Sequence, residues 1–120
     1  MFKTNKIFIQ ISRNKITVVN LETGNEVTLM AVEPFSTVRS VLSSFHPATE
    51  TLLAAKKELG LKRSFFALKA VIQQTEDTNG GLTDIEKRAL RDLAENAGVN
   101  KVYIADAEWP LSNEEALAFM

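Results

Sequence analysis

Few residues in this sequence have the chemistry and spacing that catalysis or metal binding requires. His46 is the single histidine among the 120 residues, and it stands directly before Pro47. A Ser-His-Asp triad would have to use it, but no serine lies in a nucleophile-elbow pattern such as G-x-S-x-G. A metal site needs several converging ligands, which one histidine and scattered acids do not provide. We therefore predict no catalytic triad, no metal site and no cofactor.

Two acidic residues lie where an open α/β sheet usually places its ligands. Asp106 and Glu108 follow the run "KVYI" at the carboxyl end of a predicted strand. An acid at this edge of the sheet could contact a bound ligand. Capping of a turn, or simple solvation before Pro110, explains both acids without chemistry. The second interpretation is favoured because no phosphate site is predicted nearby.

Two further segments have some features of binding motifs. "TNGG" at 78–81 places two glycines before a helix start, as a phosphate loop does. The Walker lysine is absent, so a flexible loop is the better interpretation. "AAKKELGLKR" contains four basic residues, which are Lys56, Lys57, Lys62 and Arg63. It has no interleaved aromatic residues and is offset by glutamates, which favours a solvated helix face over a nucleic-acid site.

The overall composition limits the class of protein further. The formal net charge is −1, and 45% of the residues are hydrophobic. Such a chain lacks the basic excess that binds nucleic acids and anionic membranes, and no stretch approaches the length of a membrane span. The sequence has no cysteine, which excludes disulfides and thiolate chemistry and suits the reducing cytoplasm. We expect one soluble cytoplasmic domain over residues 1–120, with no targeting segment.

The N-terminal part of the chain predicts an antiparallel meander of three strands. Ile7, Ile9 and Ile11 alternate along 6–11, and 15–20 is a β-branched run. "SRNK" joins these two segments as a hairpin loop. The turn signal "TGN" then precedes a third strand over 27–32. We expect the first strand to occupy the middle of the sheet.

The rest of the chain alternates helices and strands. Helices are predicted over 48–59, 83–97 and 112–119, and strands over 65–72 and 101–106. Capping boxes begin the last two helices, formed by Thr83 with Glu86 and by Ser112 with Glu115. The order is βββαβαβα, and its β-α-β steps require right-handed crossovers and parallel pairing. We predict an α/β fold with a mixed five-stranded sheet and helices on both faces.

The helix predicted over 83–97 has the clearest apolar pattern. Its stripe repeats every four residues through Ile85, Ala89, Leu93 and Ala97, with Leu90 and Ala94 beside it. Gly98 follows as a terminating residue. We expect the side of the helix marked by Ile85, Ala89 and Leu93 to pack on the sheet.

The stretch "GGLTDIEKRALRDLAENAGVNKVYIADAEWP" resembles the bacterial actin homologue MreB. The similarity runs through the helix at 85–92, the pair Ala97-Gly98 and a strand that ends in an acid and a proline. The N-terminal hairpin and the segment 31–53 are similar in spacing, so the resemblance covers most of the chain. It implies an actin-like (ribonuclease H-like) half domain, whose element order is also βββαβαβα.

The departures from the MreB pattern concern its nucleotide site. In that family the first hairpin carries an Asp and a Gly that hold magnesium and the nucleotide phosphates, the latter through backbone amides. The matching positions here fall near Gln10 and Ser12. A neutral amide does not replace the carboxylate, and Ser12 has a Cβ where close backbone approach is needed. The family's second half and small inserted subdomain have no counterpart in the sequence. We expect no nucleotide hydrolysis and a hairpin that is kept for structure.

Apolar residues gather near the C-terminal end of the sequence. They are Trp109, Leu111, Phe119 and Met120. In a full actin fold the last helix lies at the boundary between the two halves, so its apolar side needs cover from its own sheet or from a partner. Both interpretations stay open, and the four residues are the predicted interface.

The resulting hypothesis is a non-catalytic interaction module related to MreB, with a role in cell shape or cytoskeletal regulation. Its partner would be another protein, with an actin homologue as a candidate, or a second copy of the chain. One alternative is a split ATPase in which two chains complete a nucleotide site. Another is a small-ligand regulatory module with a pocket lined by Ser12, Asn14 and Asp106.

Overall fold

Five strands form one mixed sheet in the computed structural model, which describes residues 3–37, 40–61 and 66–120. The strands are β1 (Lys3–Ser12), β2 (Lys15–Asn20), β3 (Glu26–Met30), β4 (Phe66–Gln74) and β5 (Lys101–Ile104). They lie in the order β3-β2-β1-β4-β5. β1 and β3 each pair antiparallel with β2, whereas β4 pairs parallel with β1 and with β5. The predicted mixed sheet, with β1 at its centre, is confirmed.

The helices among the described residues are α1 (Phe45–Glu58), α2 (Asp84–Asn96) and α3 (Asn113–Leu117). α1 begins at Phe45, earlier than predicted, with Ser44 as its N-cap. Pro47 then lies in the first turn, where a missing N–H costs no helical hydrogen bond. Both predicted capping boxes are formed, at Thr83 and at Ser112. β4 runs to Gln74, beyond the predicted end, while Phe65 lies outside the described residues.

None of these helices has the length and apolar character that crossing a membrane requires. The longest of them, α1, has 14 residues, whereas a membrane span takes about 20.

The two faces of the sheet are covered by different elements. Successive strand residues point to opposite faces, so Ile7, Ile9 and Ile11 share one face and Phe8 lies on the other. The first face packs against α1 and α2 in a core that includes Ile16, Val18, Leu52, Ala70, Ile72, Leu90 and Leu93. The second face carries a smaller core of Phe8, Val19, Val71, Ala105, Leu111 and Ala116. Because Ala116 belongs to α3, helices lie on both faces, as predicted.

The packing face of α2 differs from the predicted one. Ile85 is 82% exposed, while Leu90, Leu93, Ala94 and Ala97 are buried. A helix advances about 100° per residue, so a repeat of four drifts by roughly 40° at each step. Ile85, two steps before Leu93, has therefore turned away from the sheet. The expectation that Ile85 packs is wrong, and the true stripe follows the spacing of three and four.

A buried lysine joins α1 to the end of α2. Lys56 is 9% exposed, and its Nζ donates a hydrogen bond to the Ala97 carbonyl at 2.6 Å. A cation at a helix C-terminus offsets the partial negative charge of the last carbonyl groups. Lys56 therefore stabilises the packing of the two helices. The prediction that it belongs to a solvated basic face is wrong. Lys57 is exposed, and Lys62 and Arg63 lie outside the described residues.

Candidate functional site

The C-terminal segment, defined here as residues 105–120, crosses the second face of the sheet and ends in α3. α3 is short, yet its start is fixed by a complete capping box. The Ser112 hydroxyl accepts from the Glu115 amide at 3.1 Å, and the Glu115 carboxylate accepts from the Ser112 amide at 3.0 Å. Ala116 and Leu111 are then buried against the sheet. The segment is therefore held at a defined place.

A buried glutamine attaches this segment to the central part of the sheet. Gln73 on β4 is fully buried. Its Nε2 donates to the Trp109 carbonyl at 2.7 Å, and its Oε1 accepts from the Leu111 amide at 3.0 Å. One side chain thus satisfies two backbone groups on either side of Pro110, as a neighbouring strand would. No feature of the sequence near Gln73 indicated this contact, because its partners lie far along the chain.

The predicted interface residues divide into two pairs. Leu111 is 8% exposed and Met120 packs against the smaller core, so both serve the domain's own packing. Trp109 is 60% exposed and Phe119 is 40% exposed, and Leu117, near Phe119 in the sequence, is 38% exposed. The C-terminal segment therefore presents three large apolar side chains to solvent, defined here as the C-terminal apolar patch.

Glu115 is the carboxylate of the α3 capping box, and its pKa is shifted there. The hydrogen bond from the Ser112 backbone amide lowers the pKa of the Glu115 carboxyl below its ordinary value. Partial loss of water contact opposes this, while side-chain hydrogen bonds with Ser112 and Trp109 lower the pKa further. Glu115 is exposed, so it keeps its negative charge at the edge of the C-terminal apolar patch.

The tip of the β1–β2 hairpin forms a network with two other loops. The Asn14 Oδ1 accepts from the amides of Phe35 and Ser36, at 2.9 Å and 2.8 Å. Asn14 has φ of 54°, in the left-handed region that asparagine tolerates better than most residues. On the other side, the Arg13 guanidinium pairs with Asp77 and donates to the Thr37 carbonyl. The hairpin is therefore a structural junction between distant loops.

The backbone amides at this tip are bonded within the chain. The Arg13 amide donates to the Glu76 carboxylate at 2.9 Å, and the Asn14 amide donates to the Ser36 hydroxyl at 3.0 Å. In the MreB-like pattern, amides of this hairpin would hold phosphates. Here the Glu76 carboxylate, from the loop between β4 and α2, accepts the hydrogen bond of the Arg13 amide.

A polar groove lies beside the hairpin on the second face of the sheet. It has a volume of about 260 Å³ and is lined by Gln10, Ser12, Lys15, Thr17, Thr75, Glu76 and Pro110. Gln10 and Ser12 thus share one groove. Of the three residues named for a ligand pocket, Ser12 lines the groove, whereas Asn14 and Asp106 do not belong to its lining.

The acids after β5 have separate positions. The Asp106 carboxylate accepts from the Leu82 amide at 3.2 Å and lies 3.6 Å from the Lys87 Nζ. It therefore holds the start of α2 close to the end of β5, which agrees with the structural interpretation. Glu108 is exposed and forms no ion pair within the described residues. These two acids do not converge on a common point with another polar group.

The remaining candidates from the sequence are His46 and the loop at 78–81, and local structure accounts for both. His46 Nε2 lies 3.1 Å from the Glu50 carboxylate on the exposed side of α1. In "TNGG", Gly80 and Gly81 both have positive φ, at 81° and 85°, so the glycines allow the turn before α2. In the described part of the chain, no group of three or more His, Cys, Asp or Glu residues could hold a metal ion.

A second groove escaped the sequence analysis. It lies between the start of α1 and the end of α2, has a volume of about 370 Å³ and is lined by Phe45, Asp92, Glu95 and Asn96. Its residues come from two helices that are separated in sequence, so their proximity follows only from the helix packing.

Comparison with known proteins gives one informative similarity. No family model matches the chain. The sequence is 33% identical over 101 residues to a protein of Escherichia coli described as "Uncharacterized protein YjaA". The alignment covers 79% of this chain and 78% of that protein. The two proteins are thus similar over most of both sequences, and the description of the relative names no activity.

Proposed function

We propose that this chain, which belongs to the same family as the YjaA protein of Escherichia coli, is a non-catalytic protein-interaction module derived from an MreB-like actin homologue. The βββαβαβα order and the central first strand are compatible with one actin-like half domain over residues 1–120. The proposal assigns the module to the cytoplasm and to cell shape or cytoskeletal regulation. An actin homologue is the first candidate partner, and a second copy of the chain is the other.

The observation that carries this proposal is the C-terminal apolar patch. Trp109 and Phe119 are large aromatic side chains that remain 60% and 40% exposed on a segment fixed by Gln73 and a capping box. Aromatic residues are enriched in protein interfaces, where they contribute much of the binding energy. A rigid support lowers the entropy lost on binding. An interaction module needs this combination of exposure and order.

A comparative pull-down tests the interaction. The purified chain and its Phe119→Ser variant are immobilised and exposed to native lysate, and the bound fraction is scored for actin homologues. Ile85→Ser is the matched control, because Ile85 is also exposed but lies on α2. The proposal expects the wild type and Ile85→Ser to retain the same partner and Phe119→Ser to lose it. Equal recovery by all three proteins would contradict it.

The hairpin network supports the absence of nucleotide chemistry in this proposal. The amides of Arg13 and Asn14 are engaged by Glu76 and by Ser36, so phosphates would have to displace bonds within the chain. Titration calorimetry with Mg-ATP is expected to give no saturable heat at millimolar nucleotide. Saturable binding at tens of micromolar would contradict the proposal and favour the split ATPase, in which a second chain completes the site.

A small-ligand regulatory module is a second candidate function, favoured by the polar groove of about 260 Å³ beside Gln10 and Ser12. It predicts that a small polar metabolite raises the melting temperature, since a ligand that binds the native state stabilises it. Gln10→Leu should abolish that shift without lowering the melting temperature of the free protein. A shift that survives this substitution would exclude the groove.

A further inference from the structure

The polar groove beside the hairpin contains a buried hydroxyl group that has no partner. Ser12 is only 7% exposed, and it lines the groove at the end of β1. Its side chain forms no hydrogen bond with the residues that the structure describes. In the same part of the chain, every side-chain polar atom fully shielded from solvent has a partner, so the Ser12 hydroxyl reaches the groove itself. Because buried polar groups are normally hydrogen-bonded, this hydroxyl is available to a molecule bound there.

Charged residues of opposite sign flank Ser12 along the groove. Lys15 on β2 is the register partner of Ser12. On the other side of β1, the chain leaves β4 through Thr75, whose amide donates to the Ile11 carbonyl, and Glu76 follows. Since β1 lies between β2 and β4, Lys15 and Glu76 belong to opposite neighbours of the strand that carries the hydroxyl. Both residues line the groove.

These two charges do not neutralise each other. The Lys15 ammonium forms no ion pair among the described residues. One oxygen of the Glu76 carboxylate accepts from the Arg13 amide, while the other accepts no bond within that part of the chain. A groove with an unpaired cation from one strand and a carboxylate from the opposite side complements a ligand that carries charges of both signs.

From the unpartnered hydroxyl and the two separate charges we infer that the groove binds a free α-amino acid as its zwitterion. The carboxylate of the amino acid lies on the Lys15 ammonium and the Ser12 hydroxyl, and its ammonium lies on the Glu76 carboxylate. The volume of about 260 Å³ is below that of pockets for drug-sized molecules, about 300–1,000 Å³, which fits so small a ligand. Glu76 disfavours phosphates and dicarboxylates by like charge. The inference rests on the small-ligand module, the second candidate function, and names its ligand class.

Matched ligands separate the contributions of the two charges. The standard amino acids are tested at millimolar concentration for a rise in melting temperature, since a ligand of the native state stabilises it. An amino acid that raises it is titrated by calorimetry beside its α-amide, which lacks the carboxylate, and beside the corresponding acid without the amino group. The amino acid is expected to give saturable heat. Both analogues should bind about tenfold more weakly or worse, because each loses a charge-assisted hydrogen bond.

Variants test the residues that the inference names. Ser12→Ala, Lys15→Gln and Glu76→Gln should each weaken binding of the amino acid about twofold to tenfold. Lys57→Gln is the matched control, because Lys57 is an exposed lysine on α1 that does not line the groove, and it should bind as the wild type does. Ser12→Ala should leave the melting temperature of the free protein unchanged, since its hydroxyl has no partner to lose. A merely structural serine would not combine these two results.

The outcomes distinguish this inference from the function on which it rests. Equal binding of the amino acid and its deaminated analogue, or unchanged binding by Glu76→Gln, overturns the zwitterion inference. If no amino acid binds, but another polar metabolite raises the melting temperature and Gln10→Leu abolishes that shift, only the amino-acid inference fails. If neither amino acids nor other polar metabolites bind, the small-ligand module fails with it, while the interaction module is judged by its pull-down.

Discussion

Gln73 is a polar residue in a fully buried position, and its side chain bonds the backbone of the C-terminal segment as a neighbouring strand would. Its amide satisfies the Trp109 carbonyl and the Leu111 amide, so Gln73→Leu would leave two backbone groups without partners. The bond to the Leu111 amide is buried, whereas the bond to the Trp109 carbonyl is only partly buried, so one buried group is left unsatisfied, at a cost of about 1–3 kcal/mol. We expect the free energy of unfolding, measured in denaturant, to fall by about that amount, and hydrogen exchange at the Leu111 amide to accelerate.

The neighbouring Gln10 provides the matched control. It is the register partner of Gln73 on β1 and lines the polar groove, but it is only half-buried. Gln10→Leu should change the free energy of unfolding by no more than about 0.5 kcal/mol. If both substitutions have the same effect, the bonds of Gln73 to the C-terminal segment do not stabilise the fold.

Asn14 combines an unusual backbone conformation with a capping side chain, and two substitutions separate these contributions. Asn14→Gly keeps the left-handed conformation at φ of 54° but loses the bonds to the Phe35 and Ser36 amides. Asn14→Ala loses those bonds and also strains the backbone, which costs about 1–2 kcal/mol more. Thermal melts should rank the proteins as wild type, then glycine, then alanine. An alanine variant as stable as the glycine variant would contradict the role of the backbone.

Glu115 makes part of the stability depend on acidity. Its pKa in the folded protein is lowered, first by the Ser112 amide. A group of this kind contributes stability above its unfolded pKa and loses the contribution as pH falls through the folded pKa. We expect wild type to be more stable than Glu115→Gln at neutral pH, and the difference to shrink towards zero in acid. Denaturant unfolding of both proteins at a series of pH values, from neutral to acid, measures this difference in the free energy of unfolding. A difference that stays constant with pH would contradict the prediction.

At the scale of elements, α2 offers a comparison between two apolar side chains on one helix. Leu93 is fully buried and Ile85 is 82% exposed. Leu93→Ala removes packing and leaves a cavity, at a cost of about 2–5 kcal/mol. Ile85→Ala removes no core contact and should be close to neutral. Denaturant melts of the two variants test the packing face of α2, and equal effects would mean that the face is wrongly assigned.

The sequence predicted those elements well whose signals are local. Both capping boxes formed because Thr83 with Glu86, and Ser112 with Glu115, meet within one helical turn. Ile85 shows where the prediction failed, because a repeat of four residues drifts around the helix and leaves Ile85 off the face that packs on the sheet. For the C-terminal segment, the sequence predicted which apolar residues are present but not which of them are exposed. Which of its apolar residues are packed depends on Gln73 and the smaller core, and these contacts join residues far apart in sequence.

At the scale of the whole molecule, the two faces of the sheet have different roles. One face is closed by α1 and α2, which Lys56 also links through the end of α2. The other face carries the C-terminal segment and, beside it, the polar groove next to the hairpin. The C-terminal apolar patch and the groove therefore belong to the same side of the domain, with Pro110 lining the groove one residue after Trp109.

The central position of β1 has a consequence for biosynthesis. A ribosome releases β1, β2 and β3 first, and this meander can pair at once, whereas β4 begins only at Phe66. Until β4 is available, the central strand β1 has one unpaired edge, which can pair with a neighbouring nascent chain on the same polysome. Synonymous codons that slow translation after β1 has left the ribosomal exit tunnel and before β4 has left it should therefore reduce the soluble yield. The same codons placed at the start of the coding sequence, while β1 is still inside the tunnel, should have little effect.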